Sequence, residues 1–176
     1  MKISSQRNSE GFTLIETLIY ISIIGIVVSS FISFSISISD SRGKTYVVQE
    51  VQANTRVALD MIRRRIRAAQ DINIGSSIFD TDPGFLSLAM ASSTLNPTTI
   101  SLDEDNGTLV IKEGSYATSS VTSDRVNVVN LVFTDLTYFT SRENIRLEIT
   151  VEYNNISASS VYNYEQNAHT SISLRQ

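Results

Sequence analysis

Apolar and polar positions divide the chain into three regimes. Residues 12–38 form a run of apolar and small polar side chains in which Glu16 is the single charge. At 1.5 Å per helical residue these 27 residues reach about 40 Å, enough to cross a ~30 Å hydrocarbon core with some tilt. The run is too long for the roughly 7–15-residue core of a secretory signal, and its conspicuous small residue, Gly11, stands before it. The pattern predicts a membrane helix behind a short leader. After Gly43 the period changes. Val48, Val51, Thr55, Leu59, Ile62, Ile66 and Ala69 recur at three- and four-residue spacing, with Gln49, Asn54, Arg56, Asp60, Arg63, Arg64 and Arg67 opposite. This predicts an amphipathic helix over residues 40–70. Joined to the first, it would make one helix of roughly 85 Å. Residues 39–43 are its weak point, because glycine costs about 1 kcal/mol relative to alanine, and a bend is expected there.

From residue 71 the pattern becomes short strands and turns. Residues 80–84 and the Asn96-Pro97 pair are strong breakers. Strands are expected at 85–91, 98–102, 108–112, 125–134, 136–140, 144–153 and 168–175. The clearest is 144–153, where Ile145, Leu147, Ile149, Val151 and Tyr153 alternate with Arg146, Glu148, Thr150 and Glu152. Such strands offer an apolar face, and the stripe on the preceding helix offers something to cover it. The expected class is α+β, a long N-terminal helix packed on an antiparallel sheet.

The start of the apolar run carries a motif. Gly11-Phe12-Thr13-Leu14-Ile15-Glu16 resembles the class III signal of type IV prepilins and type II secretion pseudopilins. Basic Lys2 and Arg7 in the leader fit that family, whereas Glu10 stands where it often has a basic or neutral residue. The resemblance implies that a membrane-embedded prepilin peptidase cuts between Gly11 and Phe12 and methylates the new Phe12 terminus. It also implies that Glu16 pairs with the N-terminal amine of a neighbouring subunit during assembly. The expected organisation is a leader at 1–11, a transmembrane and assembly half-helix at 12–39, an amphipathic half-helix at 40–70 and a β-rich extracytoplasmic domain at 71–176. Expected partners are the peptidase, other pilin or pseudopilin subunits, the inner-membrane assembly platform and, before assembly, lipid. Residues 59–69 resemble the Leu- and Arg-rich helix end of J-type minor pseudopilins, which implies a minor subunit at a filament tip.

Without that resemblance, Glu16 is a carboxylate about one turn inside the run. It would cost ~2.5–3.5 kcal/mol at a bilayer centre and less if it snorkels to the headgroups. The seven serines between Ser22 and Ser39 can bond back to helix carbonyls or face neighbouring helices.

Charge sharpens the division. Residues 40–70 hold seven basic and three acidic side chains, and residues 71–176 hold five basic and thirteen acidic. An acidic distal domain argues against nucleic acid as a partner of that surface. The run Arg63-Arg64-Arg65-Ile66-Arg67 spreads its cations around a helix at 100° intervals, which suits a solvated or subunit-contacting face better than a groove-facing patch. Lys2 and Arg7 precede the membrane run while Arg42 and Lys44 follow it, so the positive-inside rule does not orient it. The resemblance does: a cytoplasmic leader and an extracytoplasmic C-terminus, then a filament on the cell surface or in the periplasm.

Candidate chemistry is sparse. The chain has no cysteine, hence no disulfide or thiolate metal site, and His169 is its one histidine. No cofactor, metal-ligand or nucleophile-elbow spacing is present, so no enzyme is expected. Asp103-Glu104-Asp105-Asn106-Gly107 departs from the calcium-loop spacing and reads as a hairpin turn with Asn-Gly at its tip, although the resemblance includes pseudopilins that bind calcium. Two other readings stay open: a permanently anchored single-pass protein with an outer binding domain, and a pilus component for DNA uptake.

Overall fold

The computed structural model describes residues 11–137, 143–155 and 162–174. The leader apart from Gly11, most of the strand expected at 136–140 and residue 175 of the last expected strand lie outside them. One helix, α1 (Leu14–Ala68), is assigned without a break through Gly43. It contributes to two compact units, Met1–Arg42 and Gly43–Gln176.

In the first unit every described residue is exposed except Glu16, which is half-buried. Four small polar residues of this apolar helix satisfy their hydroxyls within it. The hydroxyls of Thr17, Ser22, Ser30 and Ser33 donate to the carbonyls of Leu14, Leu18, Ile26 and Ser29 at 2.8–3.0 Å. A hydroxyl bonded inside its own helix presents little unsatisfied polarity to lipid.

The second unit contains two antiparallel sheets. The first has five strands in sequence order: β1 (Ala69–Ile72), β2 (Leu86–Met90), β3 (Thr98–Asp103), β4 (Thr108–Glu113) and β5 (Ser119–Ser120). The second has three: β6 (Val126–Asp135), β7 (Asn144–Tyr153) and β8 (Glu165–Ser173). Two sheets replace the single one expected, and the reason lies at the free edge of β6. The segment before β2 runs along that edge, where Asp80 N–H donates to the Phe133 carbonyl at 2.8 Å and Gly84 N–H to the Leu131 carbonyl at 2.7 Å. An Asp82 carboxylate oxygen accepts the Leu131 N–H at 2.8 Å. These groups occupy positions that a further strand would need.

The amphipathic half of α1 forms because Val47, Val51, Thr55, Ala58, Ile62 and Ile66 fall on one face, and all six are buried. The centre of this stripe lies one residue from the sequence expectation at two places, with Val47 and Ala58 buried where Val48 and Leu59 are half-buried. Five of the six, all except Thr55, would serve a hydrophobic core directly, and Val51, Ala58, Ile62 and Ile66 join one cluster with Leu86, Ile100 and Leu109 of the first sheet and Leu131, Phe133, Leu147 and Ile149 of the second. Thr55 turns its hydroxyl back to the Val51 carbonyl at 2.8 Å and so costs little in that setting. Polar ties fix the helix along its length. Ser123 N–H donates to Asn54 Oδ1 at 2.9 Å, its hydroxyl reaches Glu50 at 3.2 Å, and Arg65 pairs with Glu113 at 2.9 Å. Gly43 serves this unit by making room, since a Cβ there would stand 2.8 Å from the Tyr162 ring.

Two local features depart from the sequence pattern for identifiable reasons. Gln70, expected in the helix, belongs to β1, which pairs with β2 and buries Ala69 and Ile72. In β6 a bulge between Val128 and Asn130 shifts the alternation, so Val126, Val128, Leu131 and Phe133 all turn inward while Val129 turns out. The expected last strand begins three residues early, at Glu165, and pairs along the full length of β7.

One charged group ties the β6–β7 connection to the first sheet. Glu143 accepts the Ile72 N–H at 3.0 Å, and Asp71 accepts the same N–H at 2.8 Å. Burial pushes the Glu143 carboxyl up from 4.5 to about 7, its hydrogen bond with Asp71 and the Asp71 charge add to the rise, the Ile72 N–H opposes it, and Asp135 adds a little.

Two stability experiments follow from this core. Ile62→Ala removes a fully buried side chain where helix and sheets meet and is expected to cost about 2–5 kcal/mol in denaturant unfolding of the full chain in detergent. A carboxyl whose folded pKa lies above its unfolded value stabilises the fold fully below about pH 4.5 and loses that contribution as pH rises through about 7. Stability is therefore expected to fall across that window, and Glu143→Gln to flatten the fall. An unchanged slope in the variant would assign the pH dependence to other groups.

Candidate processing and assembly site

Gly11 and Phe12 precede α1 in non-helical backbone, and both are exposed. Thr13 takes the N-cap position: the Glu16 N–H donates to Thr13 Oγ1 at 3.3 Å, satisfying one of the orphan amides of the first turn. Thr-x-x-Glu is the sequence signature of a capping box. Only half of that box is formed here. The Glu16 carboxylate turns along the helix instead, where its Oε1 accepts the Tyr20 hydroxyl at 3.2 Å. Its place in the first turn also sets a negative charge at the positive end of the helix dipole.

Phe12 and Tyr20 stand on either side of Glu16 in sequence, four residues away in each direction. Their rings meet edge to face with centroids 6.4 Å apart. Phe12 is 75% exposed and Tyr20 49%, yet the carboxylate-bearing residue between them is half-buried. The structure thus gathers the expected residues Gly11, Phe12 and Glu16 at one helix end and adds Thr13 and Tyr20. Both additions were legible as spacings, Thr13 three residues before Glu16 and Tyr20 four after it.

The other motifs separate. Arg65 of the arginine run turns inward to Glu113, while Arg56, Arg64 and Arg67 are exposed and Arg63 pairs with Asp60 at 3.1 Å on the outer face. A single surface patch of all the arginines is therefore not formed. The 103–107 motif is a hairpin loop, since Asp103 pairs with Thr108 across β3 and β4. It is a four-residue loop and not a two-residue Asn-Gly turn: Gly107 alone takes the left-handed conformation, at φ 62°. Both Asp103 carboxylate oxygens hold the loop, accepting the Asp105 N–H at 3.2 Å and the Asn106 side-chain amide at 2.9 Å. His169 is exposed on β8, opposite Glu148. Among the described residues no group of three His, Cys, Asp or Glu side chains gathers to hold a metal ion. An open groove of about 780 Å³ crosses β3 and β4, lined by Thr99, Ser101, Asp103, Val110 and Lys112 among others.

Compared with known proteins, residues 6–32 match the family described as the prokaryotic N-terminal methylation motif. No curated protein and no solved structure matches the chain. The matched residues cover Gly11, Phe12, Glu16 and the first turns of a helix long and apolar enough to cross a membrane. Residues 6–32 thus carry a class III signal, and one long N-terminal helix followed by antiparallel sheets is the α+β arrangement expected for a pilin-like chain.

Proposed function

We propose that this chain is a minor pilin or pseudopilin subunit of a type IV pilus or a type II secretion-like filament. The observation that supports this most is the methylation motif over residues 6–32 heading a helix whose apolar side chains as far as Ile38 are exposed. Leader residues 1–11 are removed by a prepilin peptidase at the Gly11–Phe12 bond, and Phe12 becomes the methylated terminus. Residues 12–39 hold the subunit in lipid and then in the filament, residues 40–70 carry the domain, and residues 71–176 stand on the extracytoplasmic side. The product is an assembly and not a reaction.

In this reading Glu16 acts as the register mark. Leaving lipid for a bundle of similar helices costs little apolar contact, because both surroundings are hydrocarbon-like. A carboxylate that meets the ammonium of a neighbouring Phe12 loses its desolvation penalty only at the correct axial position. The exposed arginines of α1 suit contact with acidic domains of neighbouring subunits better than nucleic acid, because Asp60 interrupts them and Arg65 is already committed to Glu113. The minor assignment draws on the Leu- and Arg-rich segment at 59–69.

Mass spectrometry of the membrane and sheared-filament fractions is expected to find a methylated Phe12 N-terminus, with this chain a trace component of the filament. A mature form that retains Met1–Phe12 would reject the filament reading in favour of a permanent anchor, and a dominant filament band would reject the minor role. Glu16→Gln is expected to be processed normally and to enter filaments at least about tenfold less than wild type, the loss of one charge-assisted contact. Wild-type incorporation would remove Glu16 from the assembly step.

A further inference from the structure

Glu16 is the one described residue of the first unit that is half-buried, and its carboxylate meets the Tyr20 hydroxyl. The Tyr20 hydroxyl donates to Oε1 at 3.2 Å, while the Tyr20 ring is fixed edge to face on Phe12, the residue next to the scissile bond. The other carboxylate oxygen has no partner among the described residues. In a segment that water does not reach, an ionised carboxylate needs a donor, and a hydroxyl one helical turn away can follow it wherever the helix goes.

We propose that Tyr20 is a positioning residue for Glu16. Through one oxygen it holds the carboxylate in one orientation, leaving the second oxygen for an incoming α-ammonium. The assignment rests on the assembly role of Glu16 set out above. The hydrogen bond satisfies one carboxylate oxygen before assembly, and the Phe12–Tyr20 ring pair limits where the carboxylate can point. When the amine of a neighbouring subunit arrives, Oε2 takes it without any rearrangement at Oε1. Without the hydroxyl the carboxylate is free to turn away from the incoming amine, and the charge-assisted contact forms less often. Tyr20 thus makes the difference between a membrane helix that merely contains a glutamate and one that presents a charged glutamate in a fixed direction.

The test compares full-length wild type, Tyr20→Phe, Glu16→Gln and the double variant in host membranes. Tyr20→Phe keeps the ring contact and deletes only the hydroxyl. The proposal expects Tyr20→Phe to be cleaved and methylated as wild type but to fall about tenfold in the ratio of filament to membrane protein. It expects the double variant to fall no further than Glu16→Gln alone. Infrared difference spectra of purified full chains in lipid vesicles, each against its Glu16→Gln counterpart, supply a readout that loss of ring packing would not move. The Glu16 carboxylate stretching bands are expected to move in Tyr20→Phe, because one oxygen loses its hydrogen bond. Wild-type incorporation of Tyr20→Phe, an unshifted band, or losses that multiply in the double variant would each overturn the proposal. Normal assembly of Glu16→Gln would instead remove the reading on which it rests.

Discussion

The rest of the structure depends on one constraint: the first half of α1 exposes apolar side chains that water cannot accommodate. Phe12, Leu14, Ile15 and a continuous series through Ile38 each expose roughly two fifths to four fifths of their surface. At about 1.5–3 kcal/mol for each large side chain removed from water, covering this surface is worth tens of kcal/mol. The buried apolar side chains of the second unit are already closed on one another in one cluster. The cover must come from lipid or from other helices. A membrane stage and an assembly stage are two ways of meeting the same demand.

The second half of the same helix solves the opposite problem. Val47 to Ile66 bury a stripe against both sheets, and the exposed side carries charge. Two sheets are bridged by one helix and one contiguous cluster, while the 78–85 segment closes the edge of β6. That closure removes an open ladder with which another chain could otherwise pair. The sheet domain is thus closed along this edge.

Polar groups matter most where few are present. In the apolar run 12–38 a single carboxylate stands among apolar residues, and its neighbours at four-residue spacing govern its environment. In the second unit Arg65 and Glu143 are drawn inward, one to pair with Glu113 and the other to hold the Ile72 amide. The first tie joins helix to sheet through opposite charges. The second sets two carboxylates on one amide, and it is the one that responds to pH.

Much of this was legible in the residues because it depends on local spacing. A long apolar run, a three-and-four stripe and strict alternation at 144–153 each report a periodic element whose surroundings are implied by its own pattern. The signal at Gly11–Glu16 was readable for the same reason, being a fixed order of residue types at a fixed place, and the Thr13 and Tyr20 spacings lay in plain view beside it. What only the tertiary structure decided are matters of long-range partnership. The division into two sheets depends on segment 78–85 reaching β6 across about fifty residues of sequence. The β6 bulge is the result of fitting Val128 and Leu131 to the same core, and Arg65 and Glu143 were ordinary surface charges until their partners arrived from elsewhere in the chain. Periodicity tells a residue which face it shares, whereas the fold alone tells it what that face meets.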